Sequence, residues 1–198
     1  MLQSIHPGTP SYLQLGEGVL LRNIDLDAII LSDDPAAALE SAMQAESCLI
    51  GAVREGCVFR CVPEMIDVTR GKRTPAAGEI LHGPWRVTLS GTLAEISPRN
   101  ALTLLNNLMY TAMSGRIQLT PQPTPVPVGA EKVCWIGATG SGLLAIELQR
   151  PVSTGGMAFR AGRRGLGETP FTLMATKADP AARGLPCRLV WLKGGGEA

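Results

Sequence analysis

The chain has 198 residues, with 18 Lys and Arg against 17 Asp and Glu, a net charge of +1, 45% hydrophobic residues and 4% aromatic ones. That length fits one domain spanning 1–198, and the near-neutral balance argues against a general polyanion binder. No apolar run approaches the ~20 residues of a membrane span, and the start, MLQSIHPGTP, has neither a basic n-region nor an apolar h-region, so no signal peptide is expected.

The 23 Gly and 15 Pro predict a β-rich chain with many turns. Five cysteines, an odd number without framework spacing, predict buried thiols in a reducing compartment. Charge is unevenly spread. Residues 1–55 hold eight acids against Arg22 and Arg54, a balance of −6, which leaves 16 basic and 9 acidic residues, +7, in the remainder. Such polarity suits head-to-tail association of identical subunits.

Residues 1–15 are punctuated by Pro and Gly and read as an N-terminal arm. GEGVLLRNI, Gly16–Ile24, is the first strand; Asp25–Leu31 gives no clear pattern. Asp34–Glu46 reads as a helix, with Asp34 as cap, Pro35 at the first position and Ala predominant. The next strand lies in Gly51–Thr69, with Cys57, Phe59 and Cys61 on one face and Val58, Arg60 and Val62 on the other; Pro63 marks a bend or an edge. From Ile66 to Pro84 the chain is charged and turn-rich, too long for an ordinary structureless loop, and reads as a lid or an arm.

WRVTLSGTLAEI follows. Its two-residue period puts Trp85, Val87, Leu89 and Leu93 in a core and Arg86, Thr88, Ser90 and Thr92 on a polar face. Ser97 and Pro98 then predict a helix over 98–114, whose apolar stripe is Leu102, Leu105, Leu108, Met109 and Ala112, with Gly115 as its stop. That stripe is expected to clamp onto the strand's apolar face. A short strand at Ile117–Leu119 and a Pro-rich connector over 121–128 come next. The remaining strands are expected at Val133–Ile136, Leu143–Leu148, Met157–Arg160, Phe171–Thr176 and Arg188–Leu192. Residues 193–198 read as a disordered tail.

GATGSG follows a strand as a phosphate loop would, but the next segment, LLAIELQ, is strand-like and lacks Lys, so a hairpin turn is the better reading. Cys57 and Cys61 have no second tight cysteine pair to complete a zinc site, and His6 and His82 have no metal spacing. No Ser sits in a nucleophile elbow. Arg70, Lys72 and Arg73, and again Arg160, Arg163 and Arg164, are basic clusters without interleaved aromatics, which favours a solvated or subunit-contacting face over nucleic acid. No enzyme activity, cofactor or metal is expected.

In order, these segments resemble the major tail tube proteins of long-tailed bacteriophages and related phage-tail-like particles. GEGVLLRNIDL resembles their glycine-marked first strand, and LIGAVREGCVFRCVPEMIDVT the strand that opens into a long hairpin arm. WRVTLSGTLAEISPRNALTLL resembles their strand-to-helix passage. The segment from WIGATGSG to FTLMAT and the closing LPCRLVWL resemble their C-terminal strands. The likeness covers most of residues 16–192; its motifs are loose, and their order and spacing carry it.

The resemblance implies a mainly β (α+β) subunit, a β-sandwich or barrel-like tail-tube fold with a flanking helix and a long hairpin arm. It implies hexameric rings stacked into a hollow tube in the virion tail, assembled in the host cytoplasm. Its partners would be further copies of the chain, a tape-measure protein, a tail terminator and baseplate or tip proteins, with DNA only as passing, non-specific cargo and no membrane. On that footing Asp67, Arg70, Lys72, Arg73 and Glu79 would make the contact between rings, and Arg86, Thr88, Ser90 and Thr92 would face the lumen. Alternatives are the tube of a contractile injection or secretion system, a monomeric ligand-binding β-barrel with the long loop as lid, or a hydrolase with an unrecognised site.

Overall fold

A computed structural model describes residues 17–44, 48–54, 56–67, 80–94, 101–102, 108–121, 132–139, 142–155, 158, 160–161, 167–177, 179, 181 and 183–193. The N-terminal arm, Arg70, Lys72, Arg73, Glu79, the Ser97–Pro98 cap, Leu105, most of the Pro-rich connector and all but the first residue of the tail lie outside them.

Strand β1 (Gly18–Arg22) leads into two helices, α1 (Leu26–Ile30) and α2 (Pro35–Gln44). Both begin on an aspartate. Asp25 Oδ1 accepts from the Asp27 and Ala28 amides at 3.1 Å, and Asp34 Oδ1 accepts from Ala37 N at 3.0 Å, so each carboxylate satisfies amides that the first turn leaves open. The second helix is the one expected over 34–46. The first was hidden, because five residues carry too little periodicity to show.

The strands β2 (Leu49–Val53), β3 (Val58–Asp67), β4 (Ile80–Leu93), β7 (Lys132–Thr139), β8 (Gly142–Gln149), β9 (Val152–Ser153), β10 (Arg160–Ala161), β11 (Gly167–Met174) and β12 (Cys187–Lys193) join β1 in one ten-stranded sheet. Its order is β10-β11-β4-β2-β1-β7-β8-β12, with β3 added to β4 and β9 to β11. A separate two-stranded sheet is made by β5 (Leu108–Met113) and β6 (Arg116–Pro121). Every pairing among the described residues is antiparallel.

This architecture corrects the expected β-sandwich or barrel. Among the described residues the large sheet is an open path that ends at β10 and β12, with no ladder between those ends, and the other sheet is a hairpin. The result is a mixed α and β fold in which helices cover part of one sheet face. The core divides accordingly. One cluster gathers Leu20, Val87, Leu89, Leu93, Trp135, Ile146, Phe171 and their neighbours, while a second puts Leu21, Cys134, Ile136 and Ala145 against Leu26, Ile29 and Leu39 of the helices. Alternation along β1 and β7 separates the two sets, since successive side chains leave opposite faces.

Three further expectations change. The helix over 98–114 does not run its course: residues 101 and 102 are helical, but Leu108, Met109 and Ala112 lie in β5, paired with Pro121, Thr120 and Ile117. The hairpin wins there because Ser114 and Gly115 turn the chain tightly, with Gly115 at φ +77°, and Ile117–Leu119 offers a strand to pair with. Leu102 is half-buried, as is Leu108. The partner of the Val87, Leu89 and Leu93 face is therefore not that helix but the side chains of β1, β2, β7, β8 and β11.

Trp85 is not in the core; it is 46% exposed. The β11 ladder on β4 ends at Met174↔Thr88, and Ala175 N donates to Val87 O as its last bond, so no strand flanks Trp85 on that side. Finally, the stretch from Ile66 to Pro84 is strand at both ends. The β3–β4 ladder reaches Asp67↔Ile80 across a register shift beside Pro63, which leaves at most 68–79 between the strands.

Candidate functional site

The features best equipped for work are the hydroxyl-bearing face of β3, β4 and β11 and the edges of β12 and β3, each paired on one side only among the described residues. On β4, Val87, Leu89 and Leu93 are buried, while Thr88, Ser90 and Thr92 are half-buried and Arg86 is exposed on the opposite face. Direct cross-strand pairs share a face, so the register extends this surface sideways. Arg60, Thr88 and Met174 form one row; Val58, Ser90 and Thr172 form the next; Thr92 and Pro170 form a third. The sequence singled out one strand of it. Thr172 was missed because β11 is assigned to β4 only by a pairing between segments some 80 residues apart, which no local pattern announces.

Gly91 interrupts the buried side of β4, and the Phe171 ring fills its place, 3.1 Å from where a Cβ would stand. The strand therefore keeps a continuous apolar back behind the hydroxyl-bearing face. Near its start, Val62, Pro63, Trp85 and Met174 line an open cleft of about 390 Å³ with Glu64 and Arg86 at its rim.

At one end of the path, β12 is bonded to β8 alone among the described residues. Val190 and Leu192 pack on the helix-side cluster, but Leu189 and Trp191 on the alternate face are 36% and 52% exposed. Beside the path, the side strand β3 is bonded to β4 alone among the described residues and exposes Val62 at 54%. Unpaired edges with exposed apolar side chains are surfaces that another chain can extend.

Among the described residues, charged groups join separate elements. Glu147, 3% exposed on β8, lies 3.5 Å from Arg188 Nη2 on β12 and 3.7 Å from Lys132 Nζ on β7. Arg188 Nη1 also binds Asp27 at the start of α1. The Arg188 hydrogen bond holds the Asp27 carboxyl below its usual range, and the guanidinium is in turn pushed up by Asp27. One arginine thus ties a helix, an edge strand and a central strand together.

Burial pushes the Cys57 and Cys134 thiols up to about 12, where they are protonated and inert. Asp67 lies at the end of the β3 ladder; Arg70, Lys72, Arg73 and Glu79 of the expected ring-contact set fall outside the described residues. Among the described residues no group of three or more His, Cys, Asp or Glu is placed to hold a metal ion, and no helix is long and apolar enough to cross a membrane. No protein-family model and no curated protein matches the chain.

Proposed function

We propose that this chain is a structural subunit that assembles with copies of itself into stacked hexameric rings, forming the hollow tail tube of a virion through which DNA passes. The observation that carries the reading is the open ten-stranded sheet, whose end strand β12 exposes Leu189 and Trp191 and whose side strand β3 exposes Val62. Edges of this kind invite pairing by another chain, and a ring satisfies both edges of every subunit at once. The charge split between residues 1–55 and the remainder favours unlike surfaces meeting head to tail.

In such a tube the row of Thr88, Ser90, Thr92 and Thr172 lines the lumen. Small hydroxyls with few cations are poor at gripping DNA, which takes many phosphate contacts per protein, and well suited to a wetted wall that a polyanion slides past. Native mass spectrometry at high concentration tests the reading. Six-fold species, or polymer after seeding, support it; a monomer under all conditions overturns it.

A further inference from the structure

Strands β5 and β6 are bonded to each other, from Leu108↔Pro121 to Met113↔Arg116, and to no other strand among the described residues. A lone two-stranded ribbon is marginal in water, and this one keeps Met109, Met113 and Ile117 each 51% exposed. At its tip, Arg116 donates from Nε and Nη2 to the Met113 sulfur at 3.3 and 2.9 Å. A thioether is a weak acceptor, and Arg116 forms no ion pair among the described residues. The tip therefore presents one cation beside two exposed apolar side chains.

The opposite character appears where α1 gives way to α2. Leu31 is 85% exposed there, more than any other large apolar side chain described. Asp33 and Asp34 follow it, both exposed. Asp34 is engaged in capping α2 and Asp27 in binding Arg188, whereas Asp33 forms no ion pair among the described residues. Between Arg22 and Arg54 the chain has six acids and neither Lys nor Arg, so no cation of that stretch offsets them.

We infer that the hairpin tip of one copy docks on the Leu31 corner of a second copy, with Met113 and Ile117 against Leu31 and Arg116 paired to Asp33. Tip and corner match each other in charge and repel their own kind, so the occupant of each is the other surface on a further copy. Exposed ion pairs add little attraction by themselves; the apolar contact supplies it and the ion pair sets the register. Two unlike patches make a head-to-tail contact, which repeats from copy to copy. This contact rests on the self-assembly reading and adds to the sheet edges a second surface by which one copy holds the next.

Charge reversal in the full chain tests it, read by sedimentation velocity over a concentration series. Arg116→Asp and Asp33→Arg should each weaken association by about tenfold or more, and the two combined in one chain should restore it. All four side chains are exposed, so urea midpoints should stay at the parent value. A benzoylphenylalanine in place of Ile117 should, on irradiation, give a product of twice the chain mass joined at a peptide containing Leu31. Larger species that survive either single reversal, a double variant no better than the singles, or cross-links absent, within one chain or to another segment would overturn the contact while leaving self-assembly standing. Parent protein that stays monomeric at every concentration would overturn both. Should a reversal not fold, the cross-link decides alone.

Discussion

Gly18→Ala should unfold this protein more readily than any surface change, because it strikes the packing of the largest core side chain. Gly18 and Gly137 face each other across the β1–β7 ladder, and Trp135, fully buried, stands two residues from Gly137 on the same face. The paired glycines leave a floor for the indole. A Cβ at Gly18 would stand 2.5 Å from Ile136 O and 2.5 Å from Trp135 Nε1. The carbonyl belongs to the ladder and cannot retreat without losing register, so the indole must move. Overpacking of this kind costs about 1–3 kcal/mol, and expulsion of the ring would approach the ~3–5 kcal/mol of a Trp→Ala truncation. Equilibrium urea unfolding measures the loss. Fluorescence reports where the ring went, since Trp85 and Trp191 are already about half exposed and Trp135 supplies the buried signal. Trp135→Leu on the Gly18→Ala background should recover part of the loss, giving a clear departure from additivity. A Gly18→Ala protein as stable as the parent, or two strictly additive losses, would refute the packing argument.

Other outcomes follow from the charge cluster, the buried thiols and the exposed edge. Arg188→Met leaves the buried Glu147 with Lys132 alone and should cost about 2 kcal/mol in urea unfolding. The same variant should flatten the acid limb of stability: Asp27 is held below the ordinary aspartate value of 3.8, so its contribution is present above that value and lost as pH falls through the lower folded one. Cys57 and Cys134 should resist iodoacetamide at pH 8 until denaturant is added, as intact mass after timed quenching would show. Stability should also decline as pH rises from about 9 towards 12, because the unfolded thiols ionise first, at about 9.0, and the folded ones only at about 12. Trp191→Lys should leave the unfolding midpoint nearly unchanged, since the ring is 52% exposed, yet abolish larger species in sedimentation velocity.

Where the sequence was legible, a local period or cap carried the message. The α2 helix was visible through Asp34 and Pro35, and the two faces of β4 through strict alternation from Arg86 to Leu93. Trp85 obeys the same period and is nevertheless exposed, because burial depends on a neighbouring strand that ends at Ala175. Leu108, Met109 and Ala112 fit a helical stripe equally well as a strand, and only their pairing with 116–121 decides between the two. Gly137 read as the start of a turn; within β7 it makes room for Trp135, which no one-strand pattern reveals. The hydroxyl face was half legible for the same reason. Thr88, Ser90 and Thr92 alternate within one segment, whereas Thr172 and Arg60 join them only through long-range register. The barrel or sandwich expected from the resemblance yields to an open sheet, since closure is a property of strand order and not of any one strand.

The central claim is that the open edges are met by other copies of this chain in a ring. Electron microscopy of the purified, reduced full chain, in negative stain and then frozen in ice, tests it most directly. The account predicts six-fold rings or hollow tubes in which the Thr88, Ser90, Thr92 and Thr172 face lines the bore. Separate monomers at every concentration, or a tube whose bore is lined by Leu89 and Leu93, would contradict it.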